Sequence, residues 1–264
     1  MFDLHSHIIP GIDDGSKNME TSLTMLQIAI QNGTTDIVAT PHVIEGEWLP
    51  TWDRILKECA GLQKKAQKAG IEINIFPGGE VALYLDILKI LKGPGPYCIN
   101  GGRYMLVELP SSEIPSFTDD FFFTLQTRGI TPILAHPERY PELAKKPEIL
   151  AEWIRTGVLT QMNGTSITGL MGTRVMETAE FFLRNNMIHV IGSDAHGIRN
   201  RNTNLTSAID KITMMIGTER TQQLMVTNPS DIIHSRDIEI PEIGNFNQQK
   251  QNQGMMGWLY KLWK

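Results

Sequence analysis

The chain has 264 residues, a formal net charge of −5 at pH 7 and an isoelectric point near 5.8. Apolar residues make up 41% and charged residues 20%, which is the balance of a soluble globular protein. Such a length can form one large core, and α/β barrels commonly reach it within one domain. Because no basic stripe stands out, the charge pattern argues against a dedicated nucleic-acid binder.

Cysteine content and the N-terminus indicate the compartment. Cys59 and Cys98 are the only cysteines, so neither a disulfide framework nor a CxxC site is expected. No basic region followed by an apolar run opens the chain, so we expect no signal peptide. No run of about 18 apolar residues is present, so we expect no membrane span. A reducing cytoplasm fits these features best.

The first half of the chain alternates short apolar runs with amphipathic stretches. MFDLH predicts a strand, and NMETSLTMLQIAIQNG predicts a helix with Asn18 as its cap and Gly33 as its end. A strand in TDIVAT, a helix from about Thr51 to Lys68 and a strand in IEINIF follow. The pattern is that of successive strand and helix units.

The second half continues in the same way. YMLVEL predicts a strand, and SFTDDFFFTLQTRG a helix capped by Ser116 and ended by Gly129. Next come a strand in TPILAH, a helix in KPEILAEWIRTG, and strands in VLTQMN and MIHVIGSDAH with the helix TRVMETAEFFLRN between them. Helices of the NLTSAIDKITMMIG type close the domain.

About seven strands therefore alternate with helices. Their continuous Val, Ile and Leu runs indicate burial on both faces, and the alternation predicts a parallel sheet, open or closed into a barrel. We expect one domain over residues 1–240 and a polar linker from 241, which contains NFNQQKQNQG. The tail GMMGWLYKLWK would form one apolar face as a helix. We expect either a helix packed on its own domain, a disordered end, or a tether to a membrane surface or to the kinase assembly.

Histidines and carboxylates collect where the predicted strands end. Five of the seven histidines do so. In a parallel barrel these ends share one face, where active sites form. The residues concerned are His5, His7, His42, Glu80, Glu108, His136, Asp194 and His196.

The spacing of two motifs strengthens a metal-site interpretation. A single histidine after a strand is usually an ordinary loop residue. In HSH and SDAH, however, residues two apart point to the same side of a strand and can bind one ion. One of Asp13 and Asp14 would add a carboxylate, and the other would cap or turn the loop. His189 and His234 are expected to be structural.

The ligand types indicate which metals fit. Imidazole and carboxylate without thiolate suit Mn, Zn or Fe rather than a cysteine-type structural zinc site. The ion expected is Mn²⁺, with Fe, Zn or Co as alternatives. Nine groups, with Asp14 included, exceed the needs of one ion, so two or three ions are expected. Paired ions of this kind can clamp an in-line phosphoryl transfer.

Taken together, the motifs resemble the polymerase-and-histidinol-phosphatase (PHP) superfamily. Within it the chain is similar to the metal-dependent tyrosine-protein phosphatases of bacterial capsule and exopolysaccharide loci, the CpsB/YwqE type. The similarity covers roughly residues 1–240. It rests on six motifs. They are DxHxHxxPGxDDG at the start, ATPH ending at His42, GGE ending at Glu80, VELP around Glu108, HPERY beginning at His136, and GSDAH with Asp194 and His196.

The resemblance implies a distorted TIM-like (β/α)7 barrel and a trinuclear site bridged by Glu80. Other PHP branches often place histidines where this chain has Asp14 and Glu108, so these carboxylates favour the tyrosine-phosphatase branch. By motif, one ion would take His5, His7, Glu80 and Asp194, a second Glu80, Glu108 and His136, and a third Asp14, His42 and His196.

The same resemblance implies phosphate-binding arginines and a substrate. Arg139 of HPER matches the first arginine, while HGIRNRN offers Arg199 or Arg201 for the second, with Arg201 favoured. The implied reaction is hydrolysis of phosphotyrosine. The implied partner is a membrane-associated bacterial tyrosine kinase, and no nucleic acid is expected.

Rival functions are weaker. A cysteine-based tyrosine phosphatase needs Cys-x5-Arg, whereas Cys98 and Arg103 are separated by only four residues. Another PHP hydrolase, such as a histidinol-phosphate phosphatase or a nuclease, stays open, although the acidic charge argues against the nuclease. An amidohydrolase-type barrel would usually need a bridging lysine after a middle strand, which Glu108 does not match. A metal-binding regulator that docks a kinase would lack a ligand or an arginine, and none is missing.

Overall fold

Short parallel strands form the centre of the molecule. The computed structural model describes residues 1–244. Within them the strands are β1 (Phe2–Ser6), β2 (Asp36–Ala39), β3 (His42–Val43), β4 (Asn74–Pro77), β5 (Glu80–Ala82), β6 (Tyr104–Glu108), β7 (Thr131–Ala135), β8 (Leu159–Asn163) and β9 (Val190–Gly192). They pair in the orders β1-β2-β4 and β3-β5-β6-β7-β8-β9.

Two strand positions of the barrel consist of two pieces each, and only the first piece of each overlaps a predicted strand. Strands β2 and β3 are separated by residues 40–41, and β4 and β5 by residues 78–79. The first pieces pair with each other, as do the second pieces, so each bend continues one path around the sheet. Counted in this way, the described strands occupy seven positions, as the sequence predicted.

Backbone contacts between the first and last strand positions close the barrel. The His7 amide donates to the Ala195 carbonyl at 2.9 Å, and the Asp194 amide donates to the His5 carbonyl at 2.8 Å. Ser6 and Ala195 form a parallel bridge. The prediction of a distorted (β/α)7 barrel is therefore confirmed, and residues almost 190 positions apart become neighbours.

Helices cover the outside of the strands. Within residues 1–244 the α-helices are α1 (Met19–Gln31), α2 (Trp52–Lys68), α3 (Thr118–Thr127), α4 (Pro141–Lys145), α5 (Pro147–Arg155), α6 (Gly164–Ile167), α7 (Thr173–Arg184), α8 (Thr206–Ile216), α9 (Thr218–Gln222) and α10 (Asn228–Ile233). Short 3₁₀ turns lie at Leu85–Lys89, Ile99–Gly101 and Pro137–Arg139, and a π turn at Gln223–Thr227. None of the helices within residues 1–244 is both long and apolar enough to cross a membrane.

The helix ends test the predicted caps. Asn18 caps α1 by accepting from the Thr21 amide at 2.9 Å, as expected. The prediction that Ser116 caps α3 is wrong, because that helix begins at Thr118 and no side chain caps it. Instead the Thr118 hydroxyl donates to the Pro115 carbonyl at 2.7 Å and stabilises the turn that enters the helix.

Apart from β4, which is partly exposed, most strand residues are buried, and β6 shows this for both faces. In β6, Met105 and Val107 belong to one apolar cluster while Tyr104 and Leu106 belong to another, and all four are at most 2% exposed. Alternate residues of a strand point to opposite sides, so the strand lies between two apolar layers. This explains the unbroken apolar runs in the sequence and leaves the strand ends as the place for polar side chains.

The described chain ends against α7. The Gly244 amide donates to the Asn185 carbonyl at 3.0 Å, and the Asn186 side chain donates to the Glu242 carbonyl at 3.0 Å. The polar tract NFNQQKQNQG and the predicted apolar tail both lie outside the described residues.

Candidate metal centre

The carboxyl ends of the strands bring the predicted ligands into one cluster. Each of the nine side chains lies within 4 Å of at least one other member, and the cluster joins residues from the first strand position to the last. Within residues 1–244, three sets could each hold an ion, because their ligand atoms lie within 4.8 Å of one another. These sets are His7, Asp14, His42 and His196; His5, His7 and Glu80; and His42, Glu80 and Glu108.

The two histidines of HSH face the same point. Their Nε2 atoms are 3.2 Å apart, and they lie 3.3 and 3.2 Å from Oε2 of Glu80. Oδ1 of Asp194 lies 3.5 Å from His5 Nε2 and 3.6 Å from His7 Nε2. Ligands held at 2.0–2.2 Å by one ion lie about 3–3.5 Å apart, so this spacing suits a shared cation.

Hydrogen bonds fix the orientation of both rings. Nδ1 of His5 lies 2.8 Å from Oε1 of Gln161, and Nδ1 of His7 lies 2.8 Å from Oδ2 of Asp13. Since both partners accept, each Nδ1 carries a proton, and each Nε2 faces the cluster, where a cation can take the place of a second proton. Partners of this kind hold metal-binding histidines in the correct tautomer.

The structure separates the roles of Asp13 and Asp14. Asp13 accepts from the Gly15 and His42 amides at 3.0 Å each, in addition to its contact with His7, so it holds the loop. Asp14 lies 3.3 Å from Nε2 of His196 and 3.5 Å from Nε2 of His42. Its side chain is 44% exposed, so this side of the cluster opens to solvent.

Glu80 lies at the centre of the cluster. Its Oε1 is 3.0 Å from Nε2 of His136, and its Oε2 is 3.1 Å from Nδ1 of His42, with the side chain only 1% exposed. Glu108 lies 3.5 Å from His136 and 3.7 Å from His42. One buried carboxylate therefore contacts four histidines, with His5 and His7 the other two, which is the geometry of a bridging group.

Burial and mutual charge shift the pKa values of these groups. Burial would raise the pKa of Glu80, but the surrounding imidazoles, His5 first, hold it well below its usual range. Burial and the charge of Glu80 raise the pKa of Glu108 to about 7. Burial would lower the pKa of His7, but Asp13 and Glu80 outweigh it and raise that pKa to about 10. Without metal, protons held by these groups offset the negative charge of the carboxylates. Divalent cations that bind there would displace those protons.

A buried nitrogen atom that lacks a hydrogen bond also supports a cation-binding role for the cluster. Nδ1 of His42 is buried and lies 3.1 Å from Glu80, yet it has no hydrogen-bond partner within the described residues. A buried polar atom left in this way is costly unless something else satisfies it. Together with the nitrogen and oxygen donor set, this supports divalent ions of the Mn²⁺, Zn²⁺ or Fe²⁺ kind.

Two of the candidate ligands have strained backbones. His136 directly follows β7 and has a φ angle of 35°. Asp194 lies two residues after β9 and has a φ angle of 50°. Such a conformation costs a non-glycine residue about 1–3 kcal/mol and persists only where the surrounding structure holds it, as active sites often do. Glycine also makes room, because a Cβ on Gly15 would collide with the His7 carbonyl and one on Gly192 with the His5 side chain.

Both favoured arginines reach the cluster through Asp194. Nη1 of Arg139 lies 3.2 Å from Oδ2 of Asp194, and Nη2 of Arg201 lies 2.7 Å from its Oδ1. Their side chains are 31% and 34% exposed, so part of each guanidinium faces solvent at the edge of the centre. Arg199, the other candidate, is exposed, and among the described residues the arginines paired with Asp194 are Arg139 and Arg201.

Several supporting residues were not predicted. Gln161 donates to Asn163 at 2.9 Å, and Asn163 donates to Oδ2 of Asp194 at 2.6 Å, which links strand β8 to the cluster. Trp48 stacks on His42 with 5.4 Å between ring centroids. The signal for the first two was present, since polar side chains at alternate positions of an otherwise buried strand point to one side.

The remaining two histidines lie outside the metal sets. His189 is buried, and its Nδ1 accepts from the Thr160 amide at 3.1 Å. His234 is exposed and its Nδ1 lies 2.7 Å from the Ser230 carbonyl. Both positions agree with the structural roles expected for them.

A closed parallel barrel with a histidine and carboxylate cluster at its strand ends is the arrangement of multinuclear metal-dependent hydrolases. The family model for capsular polysaccharide synthesis, CpsB/CapC, matches residues 1–234. The chain therefore belongs to the CpsB/CapC family.

Curated relatives agree with this placement. The tyrosine-protein phosphatase CpsB of Streptococcus agalactiae serotype III is 30% identical over 243 residues, which cover 90% of this chain and 100% of CpsB. The tyrosine-protein phosphatase YwqE of Bacillus subtilis strain 168 is 29% identical over 219 residues, which cover 83% and 86% of the two chains. The family predicted from the motifs is confirmed, and these relatives have the predicted activity.

Solved structures add to the comparison. A structure from work on YwqE of Bacillus subtilis and CpsB of Streptococcus pneumoniae, described as metal-dependent tyrosine phosphatases, has a TM-score of 0.87 at 27% identity and covers 92% of this chain and 98% of that one. A β-aspartyl dipeptidase of Fervidobacterium islandicum AW-1 has a TM-score of 0.53 at 14% identity. The second likeness shows a shared barrel fold alone.

Proposed function

We propose that this chain is a metal-dependent protein tyrosine phosphatase that uses two or three divalent cations, with Mn²⁺ as the first candidate. The observation that carries the proposal is the position of Glu80, which is buried and within 3.3 Å of four imidazole nitrogens. Such ions would polarise the phosphoryl oxygens and supply an activated water near neutral pH.

The distances are compatible with a division of the ligands among three ions, in which His42 faces Asp14 through Nε2 and faces Glu80 and Glu108 through Nδ1. Glu80 bridges, since its two oxygens face different histidines. Asp14 completes the most exposed set, on the side that a substrate can approach. The proposed sets are His5, His7, Glu80 and Asp194; Glu80, Glu108 and His136; and Asp14, His42 and His196.

Arg139 and Arg201 would bind the phosphoryl group. Each already donates to a carboxylate at the edge of the centre, and each guanidinium has five N–H donors, so donors are left for a phosphate beside Asp194. The planar guanidinium matches two oxygens of a phosphate at once. Charge that grows on these oxygens during the reaction would be stabilised by donors that are already in place.

Hydrolysis of a phosphotyrosine ester requires little proton donation from the protein. Tyrosine leaves as a phenolate with a pKa of about 10, far below that of an alkyl alcohol, so a dedicated proton donor is less important than for phosphoserine. The chain's part is therefore to hold the phosphate, orient it against the cluster and let the aromatic ring depart to the open side at Asp14.

The family supports a proposal for the substrate and the location. Its description concerns capsular polysaccharide synthesis, and its named members act on tyrosine phosphate in proteins. We propose a bacterial tyrosine kinase associated with the membrane as the substrate, and a cytoplasmic enzyme. The two free, buried cysteines suit a reducing compartment.

The test compares phosphotyrosine and phosphoserine peptides with histidinol phosphate, before and after chelation. We expect preferred hydrolysis of phosphotyrosine, loss of activity with the chelator, recovery with Mn²⁺ and two or three bound ions by elemental analysis. Preferred hydrolysis of histidinol phosphate would identify a different phosphatase of the superfamily, and activity that survives complete removal of metal would overturn the proposal.

A further inference from the structure

We propose that Lys17 and Arg199 form a subsite for an anionic side chain that neighbours the phosphotyrosine in the substrate. The inference rests on the proposed function, because the group bound there belongs to the same substrate chain. A cavity of about 550 Å³ is lined by both cations and also by Asp14, His196 and Arg201.

The cavity and the metal centre share walls. Asp14 and His196 lie 3.3 Å apart in the centre and also line the cavity, while Arg201 contacts Asp194 on one side and lines the cavity on the other. An extended peptide advances about 3.3 Å per residue. The cavity begins at Arg201 itself, so side chains within a few positions of the phosphotyrosine are the part of a substrate that is near enough to enter it.

The charge in the cavity is opposite to that of the protein as a whole. Its charged lining residues are three cations and one carboxylate, in a chain of net charge −5. The carboxylate of Asp14 is directed toward His42 and His196, and Arg201 is paired with Asp194. Among the described residues, Lys17 and Arg199 have no ion-pair partner, so their charges are available to a ligand.

Both cations are carried by backbone that is anchored to the centre. Lys17 follows Ser16, whose amide donates to the His7 carbonyl at 3.0 Å. Arg199 lies in a loop closed by the His196 and Gly197 amides, which donate to the Arg201 carbonyl at 3.0 and 3.1 Å. The fold therefore holds the backbone of both residues beside the metal centre, so each side chain starts from a fixed point next to it.

The ligand is an anion, either a glutamate or aspartate side chain or a second phosphate. Exposed ion pairs typically change affinity by about 1.5- to 5-fold each. Two such pairs predict that an anionic neighbour raises kcat/KM by roughly 2- to 25-fold over a neutral neighbour, through KM rather than kcat. Added salt should reduce this preference, since the cations are exposed.

The experiment uses the full chain with Mn²⁺ and three phosphotyrosine peptides of equal length. One has neutral neighbours, one has glutamates, and one has a phosphoserine beside the phosphotyrosine. The variants are Lys17→Ala, Arg199→Ala and the double substitution. Matched controls are Lys68→Ala and Arg184→Ala, which are exposed at the carboxyl ends of α2 and α7, on the opposite face of the barrel.

We expect the unmodified chain and the controls to prefer one or both anionic peptides, and the double variant to lose the preference. A preference for glutamate alone identifies a carboxylate site, and a preference for the phosphoserine peptide alone identifies a second phosphate site. Equal kcat/KM for all three peptides, or a preference that survives the double substitution, overturns the subsite while the proposed function stands. No hydrolysis of any phosphotyrosine peptide overturns both.

Discussion

Oε1 of Gln161 lies 2.8 Å from Nδ1 of His5, although the two residues are 156 positions apart in the chain. Both side chains are buried, so water does not compete for this hydrogen bond. The contact fixes the proton of His5 on Nδ1 and turns Nε2 toward Glu80 and Asp194. A residue that touches no ion therefore sets the geometry of a proposed ligand.

Gln161→Leu should weaken metal binding without removing a ligand. Loss of such a partner typically lowers metal affinity about 10- to 100-fold. The measurement is competition with a metal-binding dye, together with thermal unfolding to confirm that the variant is folded. Gln67→Leu, at an exposed position of α2, is the matched control. Unchanged affinity in folded Gln161→Leu would show that Gln161 only fills space.

The residues of the cluster could be predicted because barrel topology places all strand ends on one face. What the sequence could not provide was the orientation of individual groups. Asp13 and Asp14 are equivalent in a DDG turn, and only the amides of Gly15 and His42, brought near by folding, select Asp13 as the residue that holds the loop. The alternation in β8 shows that Gln161 and Asn163 share a side, but that His5 is the partner of Gln161 becomes apparent only when the barrel closes.

The start of α3 at Thr118 is a second feature that the local sequence did not predict. Ser116 is a good cap by residue type, but the turn at Pro115 satisfies the hydroxyl of Thr118 and moves the start of the helix. The bends in the second and third strand positions were also not predicted. The bends depend on the pairing of β2 with β4 and of β3 with β5, which a short stretch of sequence does not predict.

Arg139→Ala should lower turnover on an aryl phosphate about 10²- to 10³-fold, the usual cost of removing one preorganised donor. Arg139→Lys should not restore it, because lysine keeps the charge and loses the planar pair of donors. Bound metal should stay normal. Arg201→Ala should behave alike, and Arg199→Ala should cost less on this small substrate.

Turnover and metal content of all four variants decide these roles. Near-normal turnover in Arg139→Ala would mean that the cations alone hold the phosphate. A larger loss at Arg199 than at Arg201 would exchange the roles of these two arginines, and with it the proposed subsite would lose one of its cations.

Neither cysteine should be needed for catalysis. Burial raises the pKa of the Cys59 thiol to about 12 and that of Cys98 to about 11, whereas a nucleophilic cysteine needs a lowered pKa. Cys59→Ala and Cys98→Ala should retain most activity on an aryl phosphate, and a chelator should abolish it in both variants and in the unmodified chain. A folded cysteine variant without activity would contradict a mechanism that depends on metal alone.

His189 should make the protein less stable as the pH falls below about 6.5. Burial, and then the charge of Arg220, lower its pKa to about 3 in the folded chain, while an unfolded histidine has a pKa of about 6.5. The unfolded chain therefore binds more protons between these values, and the free energy of unfolding falls by about 1.4 kcal/mol per pH unit. Stability from this source is complete above pH 6.5 and declines toward pH 3.

His189→Asn removes this titration and keeps a side-chain acceptor for the Thr160 amide. Denaturant unfolding at pH 7.5 and pH 5 measures the effect. The stability difference between the unmodified chain and the variant should shrink by roughly 2 kcal/mol between the two pH values, since pH 5 lies about 1.5 units below the unfolded pKa. The histidines of the cluster are present in both proteins, so their contributions cancel, and His234→Asn at an exposed position is the control. If the difference stays constant with pH, then His189 takes up its proton in the folded chain as readily as in the unfolded one, and its burial between β8 and β9 does not hold it neutral.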